Sequence, residues 1–282
     1  MKVTVDTYGM QDMLSEEQIF ALVSEAGFDG VDYSLYRMDP SRTVLGEDFR
    51  EHAAHTKQLL EQYGLICNQT HAPFGNNSYK TAFDSNHPER IEIIRAIEYA
   101  SILGAHHIVI HGIKPPIGID IVAFNVKYYQ SFEPYARQFG IKIAAENLMR
   151  GTLDHPKLLG GVLEQLDPEW FMGLIDLGHS NVAGVAPESF IRHLPAGRLQ
   201  GLHVQDNDGQ SDQHLVPYLG NIQWDCVIDA LAETGYPGDF SMEIPGFLKR
   251  YDPEMLPDAL AFAQRIGRRL AARFEIKRGF IA

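Results

Sequence analysis

At 282 residues, 45% hydrophobic and with a mean hydropathy of -0.18, the chain can fill the core of one α/β barrel, a fold of about 250 residues. Its 24 basic and 37 acidic residues leave a formal net charge of -13, which argues against nucleic acid as a partner because that binding rests on Lys and Arg neutralising phosphates. No run reaches the roughly 20 apolar residues of a membrane span, no basic-then-apolar leader precedes the MKVTVDTYGM opening, and two cysteines rule out a disulfide framework, so a cytoplasmic protein is expected.

Along the chain, short β-branched or apolar runs alternate with stretches of helical periodicity. Strands are expected at Val3–Asp6, Gly30–Tyr33, Ile66–His71, His107–His111, Lys142–Glu146, Phe171–Asp176, Gly201–Gln205 and Phe240–Glu243. Helical patterns fill Glu16–Ala26, Phe49–Tyr63, Pro88–Leu103, Ile121–Phe139 and Trp224–Thr234, and about Pro257–Phe274 closes the chain. Gly27, Gly64, Gly104, Gly140 and Gly235 each end a helical pattern just before a strand, as a left-handed cap requires. Cys67 and Cys226 fall in a strand and a helix, where buried apolar thiols are expected. Eight such beats without a linker or low-complexity segment predict a single (β/α)8 barrel domain over residues 1–282. An open doubly wound sheet is the alternative, but no Gly-x-Gly-x-x-Gly turn follows any strand.

In a barrel of this kind the site lies at the C-terminal strand ends. Those ends carry Asp6, Asp32, His71, His111, Glu146, Asp176, His203 and Glu243. Asp, Glu and His make up roughly a sixth of the chain, so six consecutive strand ends bearing them would arise by chance in under about one case in a hundred. Imidazole nitrogens and carboxylate oxygens converging without thiolates suit zinc, manganese, iron, cobalt or magnesium. Carboxylates gathered out of water also need a cation, because like charges raise one another's pKa. Asp176-Leu-Gly-His179 stands where the sixth strand is expected to turn into its loop, and an Asp212-x-His214 pair follows the seventh. Asp206 and Asp208 read as turn formers or as acceptors behind a ligating imidazole, while Asp6 and Asp32 either meet substrate or close turns.

The runs Glu146-Asn147-Leu148, IDLGHSNVAG (175–184), LHVQDNDGQSDQHLVPYLGNIQW (202–224) and Met242-Glu243-Ile244 resemble the xylose isomerase-like TIM-barrel superfamily. That group holds sugar phosphate isomerases and epimerases, inosose-pathway enzymes and endonuclease IV. The resemblance implies one divalent ion, zinc or manganese before the others, held by Glu146, Asp176, His203 and Glu243. It also implies a metal-stabilised enediolate, with Glu146 and Glu243 as the acid/base pair, acting on a small sugar, polyol or sugar phosphate. On the same resemblance, His71, His111, His179, Asp212 and His214 are candidates for further metal or substrate ligands. Together with the quartet they match the nine-ligand pattern of a three-zinc endonuclease IV.

Phe74 is expected to line the pocket beside His71 and His111, and Trp224 to support its wall. Arg150 and Lys114 are the candidates for a phosphate handle. Gly209 stands where ketohexose 3-epimerases carry Arg, which argues against that particular activity. Two other chemistries fit the same constellation: an inosose-type dehydration, and hydrolysis at apurinic sites, the latter disfavoured by the acidic balance and by a lack of basic loops beyond Arg37 and Arg42. A homo-oligomer is compatible with the sequence. Substrate choice is expected to sit in loops 73–84 and 114–120.

Overall fold

The computed structural model describes residues 1–37, 39–74 and 78–279. Eight strands run β1 (Val3–Asp6), β2 (Gly30–Ser34), β3 (Ile66–His71), β4 (His107–Ile110), β5 (Lys142–Glu146), β6 (Phe171–Asp176), β7 (Leu199–Val204) and β8 (Phe240–Met242). All pair in parallel and in chain order, and β8 pairs with β1, so the sheet closes into a barrel without an edge. Around it lie α1 (Glu16–Glu25), α2 (Phe49–Gln62), α3 (Pro88–Leu103), α4 (Ile121–Gln130), α5 (Glu133–Phe139), α6 (Pro156–Gln165), α7 (Leu177–Val182), α8 (Pro187–His193), α9 (Trp224–Thr234), α10 (Pro245–Leu248) and α11 (Leu256–Lys277). The expected (β/α)8 barrel is the fold observed.

Local chemistry sets the boundaries. Gly27, Gly64, Gly104, Gly140 and Gly235 all take left-handed φ, between 66° and 85°. The helix expected over Ile121–Phe139 is two helices, because Pro134 cannot donate to the carbonyl of Gln130 and its ring would strike it. Short helices α6, α7, α8 and α10 were not among the expected elements. Cys67 is buried as expected, but Cys226 is exposed: α9 turns Trp224, Val227, Ile228, Ala230 and Leu231 inward and leaves Cys226 on its wet face.

The main apolar core lies between barrel and helices. Inside the barrel, Val109, Ala144, Met172 and Leu174 of β4, β5 and β6 form a separate apolar cluster. Polar side chains fill the other side: Asp32, Gln69, His203 and Ser241, from β2, β3, β7 and β8, are all buried. No helix among the described residues is long and apolar enough to cross a membrane.

Candidate active site

The strand ends bring the predicted residues together in three groups. In each group one ligand-type atom per residue lies within 4.8 Å of the others. Glu146, Asp176, His203 and Glu243 form the first, His71, His111 and Glu146 the second, and His179, Asp212 and His214 the third. Glu146 ends β5 and sits between the first two. Its Oε1 lies 3.1 Å from His203 Nδ1 and its Oε2 3.0 Å from His111 Nε2. Glu243, one residue past β8, places Oε2 3.3 Å from the same His203 nitrogen. His111 likewise stands one residue beyond its strand.

The Asp176-Leu-Gly-His179 motif is a helix start rather than a loop. Asp176 caps α7, its Oδ1 accepting from His179 N–H at 2.7 Å, which leaves Oδ2 to face the quartet. Gly178 belongs there for space, since a Cβ would stand 2.1 Å from the Gln205 side chain. Gln205 in turn donates to Asp176 and to Asp212, tying the first group to the third. Asn147 clasps β6 from β5, accepting from Asp176 N–H and donating to Asp176 C=O. The side-chain amides of Gln205 and Asn147 had not been singled out in the sequence, where neither stands apart from ordinary strand-end polarity.

Electrostatics explain what the groups could hold. Burial opposes charge on the His203 ring, yet Glu243 and Glu146 beside it hold its pKa well above the ordinary value. His179 is raised against burial by Asp176 and Asp212, and His214 to about 10 by Glu243 and Asp212. Burial likewise opposes charge on Glu146, but His203 and His111 pull it well below the usual carboxylate range. Glu243 moves the other way, burial outweighing the imidazoles. Positive charge is thus favoured beside these carboxylates. A divalent cation supplies such charge, and one imidazole with three carboxylates is a donor set that suits it. Glu243 Oε2 is buried without a hydrogen-bond partner among the described residues, as a ligand oxygen would be before its ion is counted.

Asp6 closes a turn, accepting from Gly9 N–H and Ile244 N–H. Asp32 lies beneath His203, with Oδ2 3.2 Å from its Nε2. Asp206 does not back an imidazole. It accepts from the backbone of Asn207, Tyr218 and Ile222 and from Trp224 Nε1–H, and so folds the loop that carries Asp212 and His214. Trp224 thereby braces the loop that carries Asp212 and His214. Asp208 caps a surface turn through Gln210 and Ser211 N–H.

Phe74 stands where expected, its ring 5.1 Å from His71 and 4.8 Å from His111. Tyr36 stacks on it at 4.3 Å and Tyr8 follows at 5.5 Å, extending an aromatic shelf across the loops after β1, β2 and β3. Lys114 donates to Arg150 C=O on the exposed rim. Residues 75–77 of the expected specificity loop lie outside the described residues.

The profile of the family described as xylose isomerase-like TIM barrel matches residues 20–266. The chain belongs to that family. Among relatives of this xylose isomerase-like chain, uncharacterized protein y4fM of Sinorhizobium fredii is 24% identical over 79% of each chain. A solved D-tagatose 3-epimerase-like protein superposes with a TM-score of 0.74 at 24% identity over 100% of both chains. The IOLI protein, crystallised with a zinc atom, superposes with a TM-score of 0.78 at 16% identity over 97% of this chain and 99% of its own. At these identities the two structural matches are likenesses of fold.

Proposed function

We propose that the chain is a divalent-metal-dependent isomerase or epimerase of a small sugar or polyol, with Glu146 and Glu243 as its proton-transfer pair. The observation that carries this reading is that two carboxylates from different strands approach one imidazole nitrogen, at 3.1 and 3.3 Å. Glu146, Asp176, His203 and Glu243 would hold the ion. Bound there, it would polarise a substrate carbonyl and offset the charge that develops as the neighbouring proton leaves. One of Glu146 and Glu243 takes a proton from the carbon beside the carbonyl, and the other returns one from its own side. The shelf of Phe74, Tyr36 and Tyr8 offers an apolar face for the C–H surface of a sugar, and His179 and Asp212 offer hydrogen bonds to hydroxyls.

The match to the IOLI protein, which holds zinc, supports the metal, and the match to a D-tagatose 3-epimerase-like protein supports the reaction class. Dehydration of an inosose-type substrate needs the same proton abstraction, and a dehydrated product accumulating instead of a sugar mixture would identify it. Hydrolysis at apurinic sites is a second reading because the nine residues form three groups. The net charge of -13 stands against it.

Assay against a panel of ketoses, aldoses and polyols tests the proposal. Glu146→Gln and Glu243→Gln should each lower turnover by about a hundredfold or more while circular dichroism remains native. An isomerase-active chain that keeps its full rate with Glu243→Gln would contradict the acid/base assignment.

A further inference from the structure

Only one edge of the His203 ring can face the carboxylates. Nδ1 does so, 3.1 Å from Glu146 Oε1 and 3.3 Å from Glu243 Oε2. A lone pair on Nδ1 requires the proton on Nε2, and that proton requires an acceptor. Nε2 has none in the quartet; it is buried with no hydrogen bond formed, and the carboxylate within its reach is Asp32, whose Oδ2 lies 3.2 Å away. We infer that Asp32 is a positioning residue, fixing the tautomer and angle of His203 so that Nδ1 is presented to the metal. This rests on the proposed metal centre.

Asp32 is itself gripped from below. It is 2% exposed, and its Oδ2 accepts from Gln69 Nε2 at 2.6 Å and from Ser241 Oγ at 3.1 Å. A carboxylate cannot donate, so the Gln69 amide must turn its NH2 to Asp32 and its Oε1 to His107. His107 Nε2 stands 3.1 Å away and must therefore carry the hydrogen. Burial pushes His107 down to about 3, which keeps the ring neutral and Nδ1 bare. Asp32 pairs with Gln69, and Gln69 with His107, in the strand register, so the three stand on one face of neighbouring strands. Room for the imidazole comes from Gly201 on β7, where a Cβ would sit 2.9 Å from His107 Nε2. The row Asp32, Gln69, His107 thus orients one imidazole from the interior side, away from solvent and substrate.

The test is zinc affinity measured by chelator competition on the full chain, with the His203 ring protons followed by imidazole 1H–15N correlation in the zinc-loaded protein. Asp32→Ala should weaken zinc about 10- to 100-fold, the range seen when the partner of a ligating imidazole is lost. The Nε2–H signal of His203 should exchange rapidly or vanish. Asp32→Asn keeps an oxygen in place and should recover part of the affinity; should Asp32→Ala not fold, Asp32→Asn carries the test and should bind several-fold more weakly than the native chain. A native chain that binds no zinc would overturn the metal-centre reading beneath this inference. A native chain that binds zinc, with variants that bind it equally well, would overturn the inference alone. So would a loss of affinity with the Nε2–H signal unchanged.

Discussion

His107 shows how a single buried side chain leaves a trace in solution. Burial lowers its pKa from the ordinary 6.5 to about 3. The folded value lies below the unfolded one, so its contribution to stability is complete above about 6.5 and is lost as pH falls towards 3. The gap corresponds to about 5 kcal/mol at full titration. His107→Gln keeps a donor near Gln69 and removes the titration. Its melting temperature should therefore fall less between pH 7 and pH 4 than the native chain's does. Equal acid sensitivity in both would mean that the ring is not held neutral. Metal affinity should show the same logic at the site, falling with acid, because His203 must give up a proton for an ion to bind. Zinc titrations at pH 6 and pH 8 would read this directly, and affinity indifferent to pH would contradict it.

At the scale of elements, the loop after β7 depends on one carboxylate. Asp206 is fully buried and accepts from three backbone N–H groups and the Trp224 indole. Asp206→Ala leaves these donors buried and unpaired, at about 1–3 kcal/mol each where water cannot reach. The variant should melt well below the native chain and exchange amides of Asn207, Tyr218 and Ile222 faster. Because that loop carries Asp212 and His214 while the quartet stands at the strand ends, zinc affinity should change little. Native stability in Asp206→Ala would show that the loop is held some other way.

The same elements show what the sequence made legible. The strands could be read because each is a short apolar run closed by a charged or imidazole residue, and the helix ends because glycine marks them. Ile121–Phe139 reads as one helix because periodicity continues across Pro134 while the hydrogen-bond ladder does not. Helix α7 follows the strand end directly and α8 spans only Pro187–His193, so their periodicity is too brief to register. Site residues with ionisable groups stood out by type. Gln69, Gln205 and Asn147 did not, because a neutral amide acquires its role only from the partners that folding brings beside it. Asp32 was seen but left unassigned, since its neighbour His203 lies across the barrel and far along the chain.

For the molecule as a whole, the balance of 24 basic against 37 acidic residues should keep duplex DNA away. The three ligand groups share one face of the barrel, and Glu146 belongs to two of them. How many ions that face holds separates single-ion isomerisation from multinuclear hydrolysis. The most direct measurement is elemental analysis of metal per chain, on protein purified without added metal, repeated after dialysis against a weak chelator. The account predicts about one tightly held ion per chain, lost in a Glu146→Gln, Asp176→Asn double variant. Two or three zinc ions per chain, or none retained and none bound on titration, would contradict it.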